Sequence, residues 1–206
     1  MTSPSSDNSS GHSPKEIQDG TDLLVSIGHV ITSWQAVEYA ICEIYLSFFH
    51  MGIRDVPAVA YHAIRTFDAR YTVVEALVRR YCDKSQCEQW ESLMRIVKKR
   101  SRVRNAVAHG MATLFGTPPD RKWGIGCSPY DIEKFKSSSK QNDYFSAKEL
   151  VECSTGMLDI TLKLDSFRAA LESDSMLQSR LLSQQNDVRN NSRITELVVA
   201  HSSPEH

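Results

Sequence analysis

The chain has 206 residues, of which 41% are hydrophobic and 8% aromatic, enough apolar material to bury a real core. Fibrous, collagen-like and wholly disordered classes are thereby excluded. Its 24 Lys and Arg stand against 25 Asp and Glu, a formal charge of -1, so no overall positive field marks a bulk polyanion binder.

Nine Gly and seven Pro are too few for a sandwich or propeller, which leaves an all-α protein as the expectation. The five cysteines (Cys42, Cys82, Cys87, Cys127 and Cys153) are odd in number and irregular in spacing. The opening Met-Thr-Ser-Pro-Ser-Ser lacks a basic and apolar leader, so free thiols in a reducing cytoplasm are expected. Cys82-x4-Cys87 has no second pair beside it, and no metal site is expected. Residues 36–49 form the most apolar stretch, but Glu38 and Glu43 interrupt it and it falls short of the roughly 20 residues of a membrane span.

In chain order, residues 1–14 hold one apolar side chain and predict a mobile tail. From Asp22 to His50, apolar residues recur at steps of three and four, among them Ile27, Val30, Trp34, Val37, Ile41 and Ile44. They place one stripe on a long helix capped by Thr21 or Asp22. A second helix is predicted from Pro57 to about Cys82, and a third from about Ser85 to Ala108, with Trp90, Leu93, Ile96, Val97, Val103 and Val107 inward and Gly110 ending it. Between Met111 and Asn142 the GTPPD turn signal, flanked by ATLF and KWGIGC, predicts a two-stranded excursion. A fourth helix opens on the capping box Ser146-Ala-Lys-Glu149, with Leu150, Met157, Leu158, Thr161, Leu164, Phe167 and Leu171 on one side. After Glu172 the chain turns rich in Ser, Gln and Asn, which predicts a frayed helix or disorder. The reading is an up-and-down four-helix bundle over residues 15–172, with stripes long enough to seed a dimer.

One segment reads as chemistry. Residues 95–104, RIVKKRSRVR, hold six basic side chains and no acidic one, leaving 18 basic against 25 acidic residues elsewhere. At 100° per residue, Asn105 and His109 share a helix face with Arg102, and Lys98 lies nearby, while Arg104 stands about 140° away from His109. Three arrangements remain open. The helix frays before His109, the two side chains meet across a dimer, or Arg102 is the functional arginine. Structural roles stand beside these: His109 at a helix end near the last carbonyls, Arg104 in an ion pair with Glu38, the basic run as a solvated face, Trp34 and Trp90 in the core, and His29 on a polar face.

Arg104-Asn105, followed by Ala-Val-Ala-His109-Gly110, and the earlier Trp34-Gln-Ala-Val-Glu38 resemble the R-x4-6-H motif and first helix of the HEPN superfamily, over residues 21–116. The resemblance implies a four-helix domain and a homodimeric, metal-independent endoribonuclease that needs no cofactor and leaves a 2′,3′-cyclic phosphate. It implies Arg104, His109 and Asn105 as catalytic residues; Glu38, on the inward side four residues after Trp34, would orient the arginine by pairing with it. The adjacent basic side chains Lys98, Lys99, Arg100 and Arg102 would bind RNA. A toxin or phage-defence effector with an antitoxin protein as partner fits the family, as does a non-catalytic module binding RNA, nucleotide or a protein. Toxins of this family that are neutralised by nucleotide modification carry a Tyr two residues after the motif His, where this chain has Met111. The chemistry fits the residue types, because imidazole supplies a base near neutral pH and guanidinium a permanent cation for phosphoryl oxygens.

Overall fold

A computed structural model describes residues 13–49, 54–115, 121–126 and 144–184. Among these the order is α1 (Pro14–Ser47), α2 (Asp55–Ala63), α3 (Phe67–Tyr81), α4 (Lys84–His109), β1 (Met111–Phe115), β2 (Lys122–Gly126), β3 (Tyr144–Phe145), α5 (Ala147–Ser173) and α6 (residues 175–184). The chain is mostly helical, as expected, with a small antiparallel sheet, and six described helices stand in place of the four expected.

The starts of the helices follow local side-chain chemistry. Ser13 and Glu16 form a reciprocal box, the Glu16 N–H donating to Ser13 Oγ at 3.2 Å and the Ser13 N–H to Glu16 Oε2 at 2.8 Å. Pro14 then occupies the first helical position, where its missing donor costs nothing. Helix α1 therefore begins before the expected cap. Thr21 and Asp22 are interior residues, Thr21 Oγ1 donating back to the Ile17 carbonyl at 3.0 Å and Asp22 accepting from Gln18 at 2.8 Å. The expected tail 1–14 otherwise lies outside the described residues.

The single helix expected over 57–82 is two. Ile64 turns extended (ψ 117°), and Thr66 Oγ1 caps α3 by accepting the Ala69 N–H at 3.2 Å. Arg70 Nε reaches back to the Ile64 carbonyl at 2.8 Å, satisfying a group the break leaves open. Boxes of the same kind open α4, through Asp83 and Gln86, and α5, through Ser146 and Glu149 as expected. Strands β1 and β2 realise the expected excursion, with Met111 opposite Gly126 and Phe115 opposite Lys122, and β3 adds an unexpected edge through Ile125 opposite Phe145. The GTPPD turn lies outside the described residues.

The chain folds as two compact units. One combines the described residues up to Gln35 with Lys98–Leu158, and its core is built on Leu23, Val30, Trp34, Ile125, Leu150 and Met157. In it, Trp123 Nε1 donates to the Glu16 carbonyl at 2.7 Å, and the bare Cα of Gly20 admits the indole, from which a Cβ would stand only 3.1 Å away. The other combines Ala36–Val97 with the described residues from Asp159 onward, its core including Ile41, Ile44, Tyr61, Trp90, Leu164 and Phe167. Two expected inward residues are outward: Ile96 is 39% exposed and Leu158 52%.

Beyond Glu172 the chain re-enters helix over residues 175–184, and the rest of the expected frayed or disordered tail lies outside the described residues. Asp174 Oδ1 accepts the Met176 and Leu177 N–H groups, both at 3.0 Å, and α6 buries Leu177 and Leu181. The Leu177 N–H above all, and then the Gln86 side chain, hold the Asp174 carboxyl below its ordinary range. A carboxylate with a depressed folded value adds stability that is complete above its unfolded value and is lost as pH falls through the folded one. Acidification below the ordinary carboxylate range is therefore expected to loosen residues 175–184. Asp174→Asn, which keeps the acceptor but does not titrate, should remove that step. Amide exchange across an acid series checks this, and an unchanged acid step in the variant would refute it.

Candidate nucleic-acid interface

The segment Lys98–His109 of α4 belongs to the same compact unit as Trp34, Cys153 and Gly156. The helix continues unbroken through His109, which removes fraying as a way to bring Arg104 and His109 together. Lys98, Lys99, Arg102, Asn105 and His109 are exposed, whereas Arg100 and Arg104 are half-buried and Val107 is buried. By the helical repeat, Lys98, Arg102, Asn105 and His109 fall within about 40° of one another's mean direction, along about 16 Å of axis. This is an open face carrying two permanent cations, an amide and an imidazole. No carboxylate interrupts it between residues 98 and 109.

Arg104 is placed differently. Its Cζ lies 5.6 Å from the ring centroid of Trp34, itself 2% exposed, and its Nη1 donates to Asn105 Oδ1 at 3.0 Å. Glu38, expected to orient this arginine, is held by Arg70, with Nη1 3.9 Å from Oε1.

Arg100, expected among the RNA-binding side chains, stands about 180° from His109 on the helix and packs against α5. Its guanidinium occupies the notch left by Gly156, where an added Cβ would come within 2.7 Å of Arg100 Cζ. Its positive charge beside the buried Cys153 thiol opposes the upward push of burial on that group. Arg100→Ala is therefore expected to cost about 1 kcal/mol of stability and, if the open face of α4 binds RNA, to leave the salt dependence of that binding unchanged. Arg102→Ala should lower that slope by about one. Thermal melting and filter retention over a salt series check the pair, and a reduced slope for Arg100→Ala would refute this placement.

Gly110 fixes the end of the face. A Cβ there would stand 2.5 Å from the Ala106 carbonyl oxygen and 2.7 Å from that of Gly126, so only glycine lets α4 pass directly into β1. Met111 follows as the first residue of β1 and is 57% exposed.

Other reactive groups are muted. Burial pushes the Cys82 thiol up to about 12 and raises those of Cys42 and Cys153, so at neutral pH they remain thiols. Cys127 lies outside the described residues. Among the described residues no group of three or more His, Cys, Asp or Glu is arranged to hold a metal ion, and no helix is long and apolar enough to cross a membrane.

Sequence reasoning missed the roles of Gly156 and of the Trp34 ring. The signal for the second was the i to i+4 pattern placing Trp34 inward on α1, but nothing in the sequence pairs it with a residue 70 positions later.

In comparisons with known proteins, no family model, no curated protein and no solved structure matches this chain.

Proposed function

We propose that this chain is a metal-independent endoribonuclease whose reacting surface is the exposed face of α4. The observation that carries the reading is the shared, open placement of Arg102, Asn105 and His109, with Lys98 and Lys99 extending the positive field. His109 takes the proton of an RNA 2′-OH, and the 2′-oxygen attacks the adjacent phosphorus. The bond to the 5′-oxygen breaks, that oxygen takes a proton from solvent water and leaves as a hydroxyl, and a 2′,3′-cyclic phosphate remains. Arg102 offers paired donors to the non-bridging oxygens as charge develops, and the Asn105 amide adds a neutral donor. Two copies of a HEPN-like helical domain sharing one cleft, a cytoplasmic location and a toxin or defence role with an antitoxin partner belong to the same proposal.

A second reading is favoured by one observation. The motif arginine, Arg104, is half-buried on Trp34 and not on the open face, as suits a helical module that retains RNA without cutting it.

Incubating the purified protein with end-labelled RNA in EDTA separates the two. The nuclease reading expects chelator-resistant fragments with cyclic phosphate ends, lost in His109→Ala. Retention of intact RNA by both proteins would establish the second reading in its place.

A further inference from the structure

Arg104 touches two groups at once, the Trp34 ring and the Asn105 side-chain amide. We infer that Arg104 is a positioning residue. Clamped over the Trp34 ring, its guanidinium fixes the Asn105 side-chain amide so that the Nδ2 donors face the His109 side of α4. The consequence for catalysis rests on the nuclease reading above, whereas the clamp itself is a property of the protein alone.

A guanidinium has five N–H donors and no acceptor, while an asparagine amide has one acceptor oxygen and one NH2 group. At 3.0 Å from Arg104 Nη1, only the amide oxygen satisfies the pair, so Oδ1 turns toward Arg104 and Nδ2 away from it. Successive side chains on a helix diverge by about 100°, so the bond forms only if the long arginine bends across the surface and is held there. Trp34 holds it. The ring is fixed by burial, and the cation sits 5.6 Å from its centroid, within the roughly 6 Å over which the ring quadrupole attracts.

Asn105 is four residues before His109 and exposed, on the face that also carries Arg102. An amide held in one orientation there presents its NH2 hydrogens to a phosphoryl oxygen without having to reorient, and such preorganisation is what makes a neutral donor effective. The angle of about 140° between Arg104 and His109 is then no obstacle, because Arg104 acts through its neighbour and Arg102 supplies the charge on the face.

The test uses the full chain and reads the Asn105 side-chain amide in a 1H–15N spectrum, assigned by its absence from Asn105→Ala. The wild-type amide is expected to be dispersed and motionally restricted. In Arg104→Gln and Trp34→Leu it should collapse to the averaged position of a free asparagine, while Trp34→Phe, which keeps a ring face, should preserve it. If Trp34→Leu fails to fold, Arg104→Gln decides. An averaged wild-type amide, or one unmoved by Arg104→Gln, overturns the clamp.

The second arm is a double-mutant cycle on RNA cleavage in EDTA. Arg104→Gln should lower kcat by about tenfold to a hundredfold with KM unchanged, and should do nothing further in an Asn105→Ala background. A raised KM, or an additional loss in that background, would put the guanidinium on the RNA and overturn the inference. A wild type that does not cleave at all sinks the nuclease reading, and the spectrum still decides the clamp.

Discussion

If α4 carries the proposed nuclease site, His109→Ala is expected to lower chelator-resistant RNA cleavage by about 10²- to 10⁴-fold, the range a positioned general base contributes. His109 is the last residue of α4 and is exposed, and Gly110 sets the chain direction that follows it. Substitution at such an exposed position costs no more than about 0.5 kcal/mol, so the folded protein persists and the loss reports chemistry. On the same reading RNA retention should survive, because Lys98, Lys99 and Arg102 remain and would supply the phosphate contacts that govern affinity. The expected signature is thus a fall in kcat with KM nearly constant, which marks an interaction made in the transition state. Arg102→Lys sharpens the point. Lysine keeps the charge but loses the planar fork, so it should restore binding relative to Arg102→Gln while recovering only part of the rate. Single-turnover kinetics on a labelled oligonucleotide checks both, and equal cleavage by His109→Ala and wild type would remove His109 from the mechanism.

Features set within four residues of one another were the ones legible in the sequence. The Ser146–Glu149 box, the glycine after His109 and the two segments ATLF and KWGIGC that flank a turn signal are local features, and helix start, helix end and strand pair each fall where they were expected. The start of α1 is also encoded locally, in Ser13-Pro14-Lys15-Glu16, but the apolar stripe begins later and so points to Thr21 or Asp22. The break between α2 and α3 carries no Gly or Pro. It depends on Thr66 as a cap and on Arg70 folding back onto the Ile64 carbonyl, a bond that no spacing rule singles out. The same limit applies at the candidate site. Helical angles alone set Arg102 beside His109 and Arg104 apart from it, yet they give no reason for Arg104 to be there. The reason is a ring on α1. Arg100 likewise belongs to a basic run by sequence and to the α4–α5 packing by structure, because Gly156 opens a notch that fits a guanidinium.

The largest expected loss of stability is at Trp90. Its side chain is 1% exposed and packs against two rings, Tyr71 with centroids 6.2 Å apart and planes 8° from parallel, and Phe167 at 5.8 Å and 34°. Trp90→Ala removes both ring contacts and leaves a void that close-packed neighbours fill only in part, a change that costs about 3–5 kcal/mol. Against the roughly 5–15 kcal/mol that holds a typical native protein, the variant should be partly unfolded at physiological temperature. Trp90→Phe separates volume from polarity. It keeps an aromatic face toward Tyr71 and Phe167 and removes an indole N–H that meets no hydrogen-bond acceptor. Relief of a buried unpaired donor, about 1–3 kcal/mol, offsets much of the lost ring area, so Trp90→Phe should lie close to wild type. Urea denaturation followed by circular dichroism measures both variants. If Trp90→Phe is as unstable as Trp90→Ala, the full indole shape is required there and the orphaned N–H is not a liability. If both match wild type, Trp90 does not anchor the aromatic cluster around it.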